Sequence, residues 1–137
     1  MAFETTIKVR FGDVDKAGIA YYPNVLSWCH VAFEEFFEHV VGTPYPRLIG
    51  ARKLGFPTVK LETEFERPFE YGMAVRVEVR VARIGNTSVT WDYRFFAPTG
   101  ERLAHSVNVT ACVDMDSFRP VVVPDDLRAV FATRNGP

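Results

Sequence analysis

The spacing of hydrophobic and polar positions changes period twice along this chain. Phe3, Thr5, Ile7, Val9 and Phe11 alternate with polar or charged residues, a period of two that predicts a half-buried strand. Residues 12–22 have no regular pattern and hold Gly12 and Gly18, which predicts a loop. From Pro23 the period lengthens. Val25/Leu26, Cys29, Ala32/Phe33, Phe36/Phe37 and Val40/Val41 recur every three or four residues. They form one face of a helix of about five turns, with Pro23 in its first turn and Gly42 and Pro44 stopping it.

Residues 43–57 are punctuated by Pro and Gly and predict a connection, with a short helical turn in RLIGARKLG. The chain then alternates again. Val59, Leu61, Thr63 and Phe65 make one strand, and Val75, Val77, Val79 and Val81, interleaved with Arg76, Glu78 and Arg80, make another. Val89, Trp91, Tyr93 and Phe95 make a third, and Leu103 to Val113 completes the set. The turn signals Gly85-Asn86 and Pro98-Thr99-Gly100 predict successive hairpins, so these strands are expected as a four-stranded antiparallel meander. A short helix, Asp125 to Phe131, follows Pro124, and the tail from Thr133 is expected to fray. An apolar helix stripe of this length must be covered, and one sheet wrapped around one helix covers it economically. The fold class expected is α+β.

Composition narrows the picture. A chain of 137 residues suits one domain, and with 47% hydrophobic and 14% aromatic residues it is not disordered. The net charge is −1 and no dense Lys/Arg cluster occurs, which argues against a nucleic-acid partner; the scattered arginines read as a solvated sheet face. Cys29 and Cys112, far apart and both in apolar patterns, predict buried free thiols in a reducing compartment. MAFETTIKVR has no signal-peptide pattern, and no apolar run approaches the roughly twenty residues that span a membrane. A soluble cytoplasmic protein is expected.

The candidate chemistry sits in the loop, where RFGDVDKAGIAYYPN places Asp13 and Asp15 ahead of the long helix. D-V-D-K-A-G superficially matches a calcium loop, but Ala17 cannot ligate, Asn24 stands where a bidentate Glu belongs, and a strand rather than a helix precedes it. No metal or redox cofactor is implied. Asp13, just behind Gly12, suits a structural role accepting backbone N–H bonds. Asp15 stands too early for a helix cap. A carboxylate poised ahead of a helix N-terminus can attack a carbonyl or activate a water, while the unpaired N–H groups of the helix start hold the oxyanion.

The stretch VRFGDVDKAGIAYYPNVLSWCHVAFEEFF resembles the opening of the 4-hydroxybenzoyl-CoA thioesterase family, with its F-G-D-x-D-x-A-G-I-x-x-Y-P-N signature. The likeness extends through GFPTVKLETEFERPFEYG, the Gly-Asn turn and the terminal VVVP. It implies the hotdog fold, a long central helix wrapped by a curved five-stranded antiparallel sheet, and an acyl- or aryl-CoA thioester as substrate. It makes Asp15 the catalytic carboxylate, acting directly, through a mixed anhydride, or through water. It assigns the carbonyl-polarising N–H to the backbone of Tyr22. Gly18 would let the loop backbone pass close to the ligand. His30 stands where the family's 4-hydroxybenzoyl enzyme has an acidic residue meeting the ring hydroxyl, so an aromatic or a medium-chain acyl group is equally open. Around the CoA, the resemblance points to Arg83 and Arg119 for the nucleotide and to Thr58-Val59-Lys60 as a channel wall. It also implies pairing of sheets across a two-fold axis, hence a homodimer or homotetramer.

Two rival readings are a hotdog hydratase or dehydratase and a non-catalytic acyl-CoA or acyl-carrier-protein binding module. The first uses a His with an acidic partner, but no D-x-N-P-x-H-x-D pattern occurs, and no carboxylate-bearing motif surrounds His39 or His105. The second predicts binding without turnover and indifference to Asp15.

Overall fold

The structure, a computed structural model, describes residues 1–136. Strand β1 (Phe3–Lys8) leads through a short 3-10 turn into helix α1 (Tyr22–Phe36), which runs on as a wide turn to Val41. Helix α2 (Tyr45–Arg52), strands β2 (Leu54–Gly55) and β3 (Thr58–Phe65), and the long strands β4 (Ala74–Ile84), β5 (Ser88–Phe96) and β6 (Arg102–Ala111) follow. Strand β7 (Val113–Asp114) and helix α3 (Asp125–Ala132) complete the order. The main sheet is antiparallel with strand order β1-β4-β5-β6-β3, while β2 pairs with β7 apart from it. This is the expected hotdog arrangement of five strands and one long helix.

Three expectations need correction. The four strands after residue 57 do not form one meander. β4, β5 and β6 do, but β3 crosses over and pairs with β6, because the segment 66–73 carries the chain to the opposite side of the sheet before β4 begins. The first strand ends at Lys8 rather than Phe11. The Asp13 carboxylate accepts the Arg10 N–H at 2.8 Å and folds residues 11–13 into a tight turn, leaving Phe11 80% exposed. The tail is tied down: Val81 N–H donates to Arg134 O at 3.0 Å, and Asn135 bridges to Val81 beyond the end of β1. The short helical turn expected within residues 47–55 is part of a two-turn helix, Tyr45–Arg52.

The core lies between α1 and the inner face of the sheet. Val25, Cys29, Ala32, Phe33 and Phe36 face inward at helical spacing, against Val75, Val77, Val79 and Val81 of β4 and Val89, Trp91, Tyr93 and Phe95 of β5. Phe33 and Phe36 meet Trp91 edge-on at 5.2 and 5.1 Å between ring centroids, the tilted geometry that aromatic quadrupoles favour. Widening the helix after Phe36 lets the adjacent Phe36 and Phe37 both be fully buried, and Gly42, at φ +82°, then ends it with its N–H on Phe37 O at 2.9 Å. On the outer face Arg76 and Arg80 flank Glu78, and Arg94 pairs with Asp92, the solvated arginine face the sequence suggested.

Candidate active site

The loop before α1 is a small hairpin. Val14 bridges to Ala20, Asp15 N–H donates to Ile19 O at 3.1 Å, and Gly18 N–H returns to Asp15 O at 3.0 Å. Gly18 turns the tip at φ +83°, a conformation costly for a side-chain-bearing residue. The Asp15 carboxylate accepts the Ala17 N–H at 2.8 Å and is otherwise exposed to solvent. Ala20 N–H on Phe69 O (2.8 Å) and the Ile19–Glu70 bridge pin the hairpin to the crossover between β3 and β4.

Asp13 holds the hairpin to the helix. Its carbonyl receives both Tyr21 N–H and Asn24 Nδ2, each at 2.9 Å. Tyr21 is the extended residue before α1, and no side chain caps it. Asn24 N–H donates to Tyr21 O and Pro23 has no N–H, which leaves the Tyr22 N–H without an acceptor among the described residues. An unpaired N–H at the positive end of a helix four turns long is a ready oxyanion donor.

Tyr22 opens on a cleft of about 450 Å3. Ile19 and Ala20 of the hairpin, Val25 of the helix, and Phe65 and Phe69 on the sheet side wall it, with the Tyr22 ring edge-on to Phe65. Asp15 is bonded through its backbone to Ile19, which lines this cleft; Asp15 itself is not among the lining residues. A second cavity of about 230 Å3 lies further along α1, beneath Leu26, Cys29, His30 and Phe33 and above Tyr93 and Asn108 of the sheet.

Residues 9–131 match the thioesterase-like superfamily. The chain belongs to this superfamily. Over 93 residues it is 33% identical to a 1,4-dihydroxy-2-naphthoyl-CoA hydrolase of Prochlorococcus marinus (strain MIT 9303), an alignment covering 64% of this chain and 62% of that one. A gentisyl-coenzyme A thioesterase structure is 25% identical, with a TM-score of 0.83 over 92% of this chain and 99% of that one. A thioesterase-superfamily structure from Jannaschia sp. CCS1 shares the fold at a TM-score of 0.93 and 23% identity, covering 99% and 94% of the two chains.

Within this thioesterase-like fold the residues singled out in the sequence fall into three places. Tyr22 lines the first cleft, while Asp15 and Gly18 belong to the hairpin whose Ile19 and Ala20 line it. His30 lines the second cavity, where it stacks on Phe33 at 5.7 Å and approaches Glu34 at 3.2 Å. Val59 is the extra residue of a bulge in β3 and is 64% exposed, while its neighbours Thr58 and Leu61 line the cavity. Arg83 and Arg119 lie at the other end of the sheet. Arg83 is opposite Thr90, in line with Val109 and Lys60, and Lys60 is about 17 Å along β3 from Phe65 of the first cleft. Arg119 sits still further out, its carbonyl accepting Asp114 N–H at 2.9 Å beyond the end of β6.

His105 does have a carboxylate partner, Asp92 at 2.9 Å, which the sequence did not reveal because the pair forms across two strands. Arg94, which also bonds Asp92, shares its outward face. The pair is thus on the opposite side of the sheet from both cavities and cannot serve a thioester bound there. Sequence reasoning also missed Tyr93, Asn108 and Leu61 as cavity residues. In β6, Ser106, Asn108 and Thr110 alternate with Val107 and Val109, and hydrophobicity alone would turn the valines inward. The register does the reverse, setting Asn108 beside Trp91 and Ser106 beside Tyr93 in the interior. The thiols of Cys29 and Cys112 are both free and buried, and burial pushes each up to about 11. Neither is a nucleophile at neutral pH. Among the described residues no His/Cys/Asp/Glu group is arranged to hold a metal, and no helix is long and apolar enough to cross a membrane.

Proposed function

We propose that this protein hydrolyses an acyl- or aryl-CoA thioester to the free acid and CoA, as a 4-hydroxybenzoyl-CoA thioesterase-like enzyme. One observation carries the reading: an unpaired Tyr22 N–H at the start of α1 shares a cleft with the hairpin that presents Asp15. The thioester oxygen accepts the Tyr22 N–H, which makes the carbonyl carbon electrophilic. In the water route Asp15 takes a proton from water as the hydroxide adds to that carbon. In the direct route an Asp15 oxygen adds instead, giving a mixed anhydride that water then opens. In both, the tetrahedral oxyanion rests on Tyr22 N–H, the C–S bond breaks, and the thiolate leaves to be protonated as CoA. The relatives named for 1,4-dihydroxy-2-naphthoyl-CoA and gentisyl-coenzyme A support the thioester class.

Both faces of β3 are open. Val59, Leu61 and Phe65 are 64%, 42% and 47% exposed on a strand paired along only one edge. Such an edge needs cover, which supports a homodimer or homotetramer with β3 and the Tyr22 cleft near the contact. Arg83 and Arg119 then meet a nucleotide only if it runs the length of the sheet or belongs to a thioester reacting in a second copy. The test is free-thiol release from a panel of aryl-, short-chain and medium-chain acyl-CoAs, with light scattering on the same sample. Turnover of at least one substrate is expected. No thiol release from any of them refutes the CoA hydrolase reading.

A further inference from the structure

The second cavity has a polar floor inside an apolar wall. Leu26, Phe33, Phe56 and Leu61 supply the wall. On the floor Tyr93 is only 2% exposed, yet no described residue hydrogen-bonds its hydroxyl. Asn108, 5% exposed, accepts the Ser106 hydroxyl on Oδ1 at 2.7 Å, and Ser106 is in turn bonded to Thr63 at 2.7 Å. That chain fixes the carboxamide and leaves Asn108 Nδ2 with no oxygen partner among the described residues. Thr110, by contrast, is satisfied by Trp91 Nε1 and Val89 O. Neither group is sealed off: Arg134 Nε is the only buried side-chain nitrogen or oxygen without a partner among the described residues, so Tyr93 Oη and Asn108 Nδ2, the latter beside the Cys29 thiol, stay open to the cavity and to whatever fills it.

We propose that this cavity receives the acyl group, and that Tyr93 Oη and Asn108 Nδ2 hydrogen-bond an uncharged polar substituent on it, a hydroxyl or a ketone oxygen. This rests on the thioesterase reading and names the substrate feature that the same site selects. The spacing fits: Leu26, which lines the cavity, is one helical turn along α1 from Tyr22, about 6 Å of axial rise. Burial keeps the floor neutral. The Tyr93 phenol is pushed well above its ordinary range, and the Cys29 thiol beside Ser106 and Asn108 is pushed up to about 11. His30, the base that lines the cavity, is on the helix side and lies 3.2 Å from Glu34, so a carboxylate on the sheet-side floor would be desolvated beside Tyr93 and Asn108 rather than beside a cation. A plain hydrocarbon would strand both polar groups.

The experiment uses the full chain and matched CoA thioethers, which cannot be hydrolysed: phenacyl-CoA and its 2-, 3- and 4-hydroxyphenacyl analogues, titrated by calorimetry. Wild type is expected to bind at least one hydroxylated analogue about tenfold or more tighter than phenacyl-CoA. In Tyr93→Phe, which keeps the ring and its packing, that ratio should fall to within about threefold of unity while phenacyl-CoA binds as before. Asn108→Ser, with folding checked by its melting temperature, should lower the ratio as well. Equal wild-type affinity for all four analogues overturns the proposal, as does a ratio that survives Tyr93→Phe. If the hydroxyl preference is found but no thioester is hydrolysed, the catalytic reading fails and the recognition stands. If thioesters are hydrolysed with no such preference, the reverse holds.

Discussion

Replacing Asp15 by Asn separates chemistry from architecture at the hairpin. The side chain makes one hydrogen bond, accepting Ala17 N–H at 2.8 Å, and an Asn oxygen can accept the same bond in the same turn. The carboxylate is solvent-exposed and forms no ion pair among the described residues, so the exchange costs below about 1 kcal/mol, a shift of a few degrees in melting temperature. What disappears is the hairpin's exposed carboxylate, the group assigned to take a proton from water or attack the carbonyl; Glu66, which lines the cleft, has both carboxylate oxygens engaged by Arg102 at 2.6 and 3.1 Å. Removing a positioned general base or nucleophile lowers kcat by roughly 10²–10⁴, about 3–5 kcal/mol of barrier at 25 °C. The assay is thiol release on the best substrate of the panel, beside binding of its thioether and a melting curve. Asp13→Ala is the control. It removes the acceptor for Arg10 N–H at 2.8 Å but keeps the carbonyl that holds Tyr21 and Asn24, so it should lose about 1 kcal/mol of stability and keep most of its turnover. An Asp15→Asn enzyme within threefold of wild-type kcat would refute the assignment of the carboxylate. So would a variant that loses activity only in step with its folded fraction.

Two further expectations concern the core. Phe36→Ala should destabilise by about 3–5 kcal/mol in urea unfolding, because Phe36 is fully buried against Trp91 and Phe3 and no exposed neighbour can fill the void; a loss under about 1 kcal/mol would show that the aromatic cluster repacks. Cys29 is an acid whose folded pKa, about 11, lies above its ordinary 9.0, so its stabilising contribution is whole below pH 9 and is lost as pH rises towards and through 11. That contribution amounts to roughly 3 kcal/mol. Cys29→Ala should therefore flatten the fall of stability between pH 9 and 11 relative to wild type, and an unchanged slope would remove burial of the thiol as the cause.

The order of elements was legible in the sequence because each obeys a local rule. The three-to-four spacing from Val25 to Val41 made α1, and the unbroken Val75–Val81 alternation made β4. The aspartate pair could be read too, since Asp13, Asp15, Gly18 and the helix start lie within one short segment whose turn chemistry is local. Long-range pairing was not legible. Nothing in residues 58–65 says that β3 joins β6 rather than β4, because a strand's period of two is the same whichever neighbour it meets. The inward face of β6 is a second case. Hydrophobicity favours Val107 and Val109, but the register with β5 turns Ser106, Asn108 and Thr110 towards the interior, where Asn108 and Thr110 line a cavity. The His105–Asp92 pair and the unpaired Tyr93 hydroxyl belong to the same class. The sequence by itself determined which segments are helix and strand and which loop carries the acid, since those follow from neighbours along the chain. Only the tertiary structure decided which side chains share a cavity, because that depends on register between strands far apart in sequence.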